Sequence, residues 1–159
     1  MPNGRTATRR QDELSALDKR IVEHLQADGR RPFTQIASDL GVSEAAVRAR
    51  TNRMIERGIL QIVGVADPGK LGFQQALIGI RCTSGSLVNV AEALAKLPEV
   101  DYVVITTGRF DILIETVVED NEGLLRFLDE RLKAIDGVRD TETFTYLRLV
   151  KQTYQFGTR

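Results

Sequence analysis

Three amphipathic stretches open the chain. Leu17, Ile21, Val22 and Leu25 recur at helical spacing behind Ser15, whose separation from Asp18 is that of a capping box, and Gly29 ends this first helix. Pro32 suits the first turn of a short second helix that turns Phe33, Ile36, Ala37 and Leu40 inward before Gly41. Ser43 caps a third, with Val47, Met54 and Ile55 on its buried side, which closes at Gly58. Ile59 to Val65 is β-branched and extended, and Asp67-Pro68-Gly69 marks a turn. Three helices followed by a short hairpin describe a winged helix-turn-helix.

The pattern then changes. Leu87, Val90, Leu94, Leu97 and Val100 recur as Leu125, Leu128, Leu132, Ile135 and Val138, each displaced by 38 residues. Two βαβ units follow: strand 76–82, helix 86–97, strand 100–107, then strand 110–118, helix 121–135 and strand 138–150. The fold class is therefore α+β, a winged helix-turn-helix followed by a ferredoxin-like βαββαβ domain. Its boundaries are a flexible arm over 1–14, the helix-turn-helix over 15–66, a linker over 67–75, the second domain over 76–150 and a tail over 151–159. The arm carries Arg5, Arg9 and Arg10, which are available to DNA phosphates or to solvent.

Two helices cover only one face of a four-stranded sheet. The central strands are nevertheless apolar at both parities: Val103 and Ile105 against Val100, Tyr102 and Val104, and Ile112 and Ile114 against Leu113 and Val117. A second copy of the chain is the economical cover for the other face, so a homodimer is expected.

Composition narrows the chemistry. The formal net charge is zero, but residues 1–66 carry 11 Lys and Arg against 8 Asp and Glu, whereas residues 67–159 carry 11 against 14. The basic half is the one that faces a polyanion. No segment approaches the about 18 apolar residues of a membrane span, and no apolar signal core opens the chain, so the reading is cytoplasmic with no membrane partner. One cysteine, Cys82, and one histidine, His24, cannot assemble a metal cluster within one chain. Cys82 reads as a buried strand thiol and His24 as a partly buried helix residue; no catalytic residue, cofactor or metal is expected.

The third helix has the chemistry of a recognition helix. Glu44, Ala45, Arg48, Ala49 and Asn52 fall away from Val47, Met54 and Ile55 and are candidates for base edges, while Arg50 and Arg53 are candidates for phosphates. The partner is duplex DNA, and two such helices in a symmetric dimer call for an imperfect palindrome as operator. In the second domain, the turn with Thr107, Gly108, Arg109 and Asp111 offers an acceptor for an ammonium, a donor for a carboxylate and room for backbone approach. The same residues are also what a tight turn uses.

In these motifs the chain resembles the Lrp/AsnC, or feast/famine, family of regulators over about residues 15–150. The resemblance is carried by Leu17-Asp18-Lys19-Arg20-Ile21 through Asp28-Gly29-Arg30, by Ile36-Ala37 through Leu40-Gly41-Val42-Ser43 with Val47, Arg50, Gly58 and Ile59, and by Asp67-Pro68 with Leu71-Gly72. Gly108-Arg109-Phe110-Asp111 and Gly137-Val138 with Thr141 and Thr143 extend it into the second domain. Pro32 replaces a small polar residue of the family pattern, and Thr51 an aliphatic one.

The resemblance implies a transcription regulator that senses a small metabolite, an amino acid, between dimers assembled into tetramers or octamers. It places the effector near Thr107, Gly108, Arg109 and Asp111, with Thr141 and Thr143 contributing from the last strand. Two other readings share parts of this pattern. One is a sirohaem-decarboxylase-like enzyme, which the lone Cys and the acidic second half disfavour; the other is a ligand-independent DNA-packaging protein.

Overall fold

A computed structural model describes residues 14–158. The proposed arm, with Arg5, Arg9 and Arg10, lies outside the described residues apart from Leu14. Two compact units emerge: residues 14–65 together with 152–158, and residues 66–151.

The first unit contains α1 (Ala16–Ala27), α2 (Phe33–Leu40) and α3 (Glu44–Glu56). At the start of α1, Ser15 Oγ accepts from the Asp18 amide while the Asp18 carboxylate accepts from the Ser15 amide, which completes the capping box expected from sequence. Pro32 precedes α2 without a side-chain cap, and Gly41 ends it at φ 67°, a left-handed conformation that lets the chain turn sharply into Ser43 and α3. Ile21, Val22, Leu25, Ile36, Ala37, Val47, Met54 and Leu60 form the core.

The buried stripe of α3 differs from the sequence reading by one member. Thr51 is fully buried between Val47 and Met54, whereas Ile55 is 43% exposed. Positions 47, 51 and 54 lie on one face of a helix, and Ile55, a further 100° round, falls off its edge. The Thr51 hydroxyl has no hydrogen-bond partner among the described residues.

The wing is a second correction. Residues 59–66 form no strand and pair with none among the described residues, and Ile62, Val63 and Val65 stay exposed. A hairpin needs a returning strand; here Pro68–Leu71 instead forms a 3-10 turn whose amides at Gly69 and Lys70 are capped by Asp67.

The second unit contains β1 (Gln74–Cys82), α4 (Leu87–Leu94), β2 (Val100–Ile105), β3 (Ile112–Val118), α5 (Asn121–Arg126) and β4 (Val138–Thr145). The sheet is antiparallel in the order β2-β3-β1-β4, the ferredoxin-like arrangement. The last strand ends at Thr145, short of the expected residue 150. After α5 the chain widens into a π-helical turn over Phe127–Leu132, closed by the Lys133 amide on the Leu128 carbonyl.

Ala76, Ile78, Ile80, Ile112 and Ile114 line one face of the sheet and pack with Val90, Leu94, Phe127 and Leu132. A register shift between Val100 and Tyr102 puts Val100 and Val103 together in that core, where simple alternation had set them on opposite faces. Leu77, Val104 and Leu113 belong to the other face, with Tyr102 (53% exposed) and Phe144 (44% exposed). Among the described residues no helix is long and apolar enough to cross a membrane.

Candidate functional site

Helix α3 presents Ala45, Arg48, Ala49, Asn52 and Arg53 to solvent, with Glu44 half-buried in its first turn. Arg48 forms an ion pair with Glu44 one turn away, and its guanidinium lies over the Phe33 ring, 5.2 Å from the centroid. Phe33, at the start of α2, thus holds the Arg48 guanidinium against its ring, a role that its helical spacing did not disclose. Arg53 has no ion-pair partner among the described residues.

Arg50 departs from its expected role. Its Nη1 donates to Asp18 Oδ1 at 2.9 Å and to Ser15 Oγ at 3.2 Å, so it ties α3 to the capped start of α1. Burial raises the Asp18 carboxyl, but hydrogen bonds from Ser15 and Arg50 outweigh it and leave the group below its usual value. This arginine is thereby committed within the domain, and Arg53 and Arg48 remain as the outward cations of the proposed DNA-binding set.

In the second unit the β2–β3 turn is closed by its own backbone. The Thr106 amide donates to the Asp111 carbonyl and the Thr106 hydroxyl to the Phe110 carbonyl at 2.7 Å, while Gly108, at φ 118°, carries the chain round. Thr107, Gly108 and Arg109 are exposed. Asp111 Oδ2 accepts from the Cys82 amide at 2.8 Å, at the point where the β1–β4 register shifts. Asp111 therefore braces the end of β1 with one oxygen, and Oδ1 has no partner among the described residues. Burial, together with the nearby Asp111 charge, pushes the Cys82 thiol up, which keeps it protonated.

Arg109 crosses toward β4. Its Nη2 pairs with Glu142 Oε2 at 2.8 Å, and its guanidinium lies 5.5 Å from the Phe110 ring centroid. Phe110 in turn meets Phe144 edge to face, with centroids 6.5 Å apart. Arg81 pairs with Asp140 on the same strand face.

Thr141 and Thr143 stand opposite Ile80 and Ile78, on the core face of β4, while Glu142 lies on the open face. The structure thus brings Thr107, Gly108, Arg109 and Asp111 into one turn but does not bring the two threonines onto the face that Arg109 occupies. Glu142, Phe110, Phe144, Arg81 and Asp140 were missed from sequence. The legible signal was Gly79, an isolated glycine in an apolar strand, which marks a close approach. Among the described residues no group of His, Cys, Asp and Glu could hold a metal ion.

Comparison with known proteins decides what kind of molecule carries these features. The AsnC-type helix-turn-helix domain model matches residues 14–55, and the Lrp/AsnC ligand binding domain model matches residues 75–156. This chain belongs to the Lrp/AsnC family. Its relatives include an uncharacterised HTH-type transcriptional regulator of Pyrococcus abyssi, 38% identical over 152 residues, which cover 94% of this chain and 96% of the relative. Among solved structures, AsnC of E. coli superposes with a TM-score of 0.70 at 26% identity, covering 90% of this chain and 99% of AsnC. A transcriptional regulator of Neisseria meningitidis, solved in complex with L-Met, shares the fold with a TM-score of 0.73 at 23% identity, covering 91% and 96% of the two chains. As a Lrp/AsnC protein the chain is a transcriptional regulator with a DNA-binding domain and a ligand-binding domain, and not an enzyme.

Proposed function

We propose that this regulator binds an imperfect palindrome in duplex DNA as a symmetric homodimer, in the cytoplasm where the chromosome lies. The observation that carries the reading is the outward face of α3, where Ala45, Arg48, Ala49, Asn52 and Arg53 stand clear of the core around Val47 and Met54. Small residues next to an Arg and an Asn let the helix lie close to base edges, and Arg53 reaches phosphate. Dimerisation through the sheet is supported by its open face, where Leu77, Tyr102, Val104, Leu113 and Phe144 have no helix over them.

The effector in this reading is an amino acid bound at the β2–β3 turn. Asp111 Oδ1 accepts its ammonium, the exposed amides around Gly108 meet its carboxylate, and the ligand shifts the balance between dimers and larger assemblies. The Neisseria regulator solved with L-Met supports the ligand class. Sedimentation with and without each of the amino acids tests the reading: one or more should change the distribution of assembled species. An unchanged distribution across the whole set would remove the effector role of the turn and leave a ligand-independent DNA-binding protein.

A further inference from the structure

A cavity of about 530 Å³ opens at the end of the sheet away from the β2–β3 turn, where β3 finishes at Val117 and Val118 and the π-helical turn begins. It lies about 20 Å along β3 from Asp111, taking the rise of a seven-residue strand. Its volume falls within the usual range for small-molecule pockets.

The lining combines apolar walls with charges of both signs. Phe73 and Phe127 supply the aromatic surface, Glu99, Glu119 and Glu130 the carboxylates, and Arg126 and Arg131 the cations. Glu99 is pinned by its own backbone, whose carbonyl accepts from the Thr116 hydroxyl at 2.7 Å and from the Val117 amide at 3.1 Å. Its carboxylate is poorly used inside the chain. Oε1 lies 3.7 Å from Arg131 Nε, too long for a hydrogen bond, and Oε2 is shut off from solvent with no hydrogen-bond partner among the described residues. Arg126, on the cavity wall, has no ion pair among the described residues.

The Glu99 side chain is 32% exposed, and Oε1, held only by the long contact to Arg131, is the oxygen that a donor in the cavity can reach. The π-helical turn is a second, independent indication. Phe127, Glu130 and Arg131 of this turn line the same cavity, and π-helical turns are found frequently at functional sites.

We infer that this cavity is a second small-molecule site, separate from the turn at Gly108, that takes a zwitterion with an apolar side chain. Its ammonium donates to Glu99, its carboxylate pairs with Arg126, and its side chain rests on Phe73 and Phe127. The Gly123 amide on the cavity wall and the Gly108 amide at the turn report the two sites separately.

The test follows both amides by 1H–15N NMR on the full chain during titration with L-phenylalanine, 2-phenylethylamine and 3-phenylpropionate. L-Phenylalanine should shift Gly123 saturably and more tightly than either fragment. Glu99→Gln should weaken L-phenylalanine and the amine by about tenfold or more while sparing the acid, and Arg126→Gln should weaken L-phenylalanine and the acid while sparing the amine. Absence of a saturable Gly123 shift, or parental affinity for L-phenylalanine in either variant, would overturn the inference. A shift confined to Gly108 would overturn it too, while supporting the effector reading of the turn.

Discussion

The ring of Phe110 lies directly on the backbone of Gly79: a Cβ at residue 79 would stand 2.6 Å from it. This close approach links the middle of β1 to the turn that carries Arg109 and Asp111, and it sets Phe110 against Phe144. Gly79→Ala should expel the ring and destabilise the second unit by about 1–3 kcal/mol. Thermal unfolding of Gly79→Ala, Phe110→Ala and the double variant checks this. Losses well short of additive are expected, because both substitutions break the same packing; full additivity would mean that the two residues act separately.

Thr51 offers a gain. Its hydroxyl is buried without a partner in a stripe otherwise made by Val47 and Met54. Thr51→Val keeps the branched shape and removes the unsatisfied group, so it should stabilise the helix-turn-helix by about 1 kcal/mol. An increase of a few degrees in Tm is the expected reading, with DNA affinity unchanged.

Asp18 makes the first unit sensitive to acid. Its folded-state carboxyl lies below the ordinary value, so its contribution is present above the unfolded pKa of about 4 and is lost as pH falls through the lower folded value. Asp18→Asn should cost about 1 kcal/mol at neutral pH, allowing for partial solvent screening of the Arg50 pair. Denaturant melts from pH 7 downward should show the parent and variant converging in acid; a difference independent of pH would assign the loss to packing.

The roles of Asp111 can be separated by side-chain chemistry. Asp111→Asn retains an acceptor for the Cys82 amide, so the fold should hold while the charge proposed to meet an ammonium is gone. Asp111→Ala removes both and should also destabilise the second unit by about 1–3 kcal/mol. Sedimentation with an active amino acid should show the response lost in both variants, with unfolding temperature reduced only in the alanine variant. A normal ligand response in Asp111→Asn would place the effector elsewhere.

What sequence disclosed here follows from which interactions are local. The capping box of Ser15 and Asp18, the Gly41 turn and the 38-residue recurrence of Leu94 as Leu132 are set by near neighbours or periodicity, and each led to its element. The Arg50–Asp18 pair spans 32 residues, and the Arg109–Glu142 pair joins a turn to β4, which spacing along the chain cannot report. The shift between Val100 and Tyr102 defeated simple alternation because one extra residue reverses every side chain beyond it. Residues 59–66 have β-branched composition but no returning strand, and composition alone does not say whether a strand finds a partner.

The salt dependence of DNA binding in α3 variants tests the central claim most directly. With an operator-bearing duplex titrated at several salt concentrations, Arg53→Ala should weaken binding and reduce the slope of log K against log salt by roughly one unit for each phosphate that Arg53 neutralises in each subunit. Arg50→Ala should lower the stability of the first unit yet leave the slope at its parental value, because Asp18 and Ser15 already engage that guanidinium. Parental affinity and slope in Arg53→Ala and in Arg48→Ala alike would contradict the assignment of α3 as the DNA-reading helix.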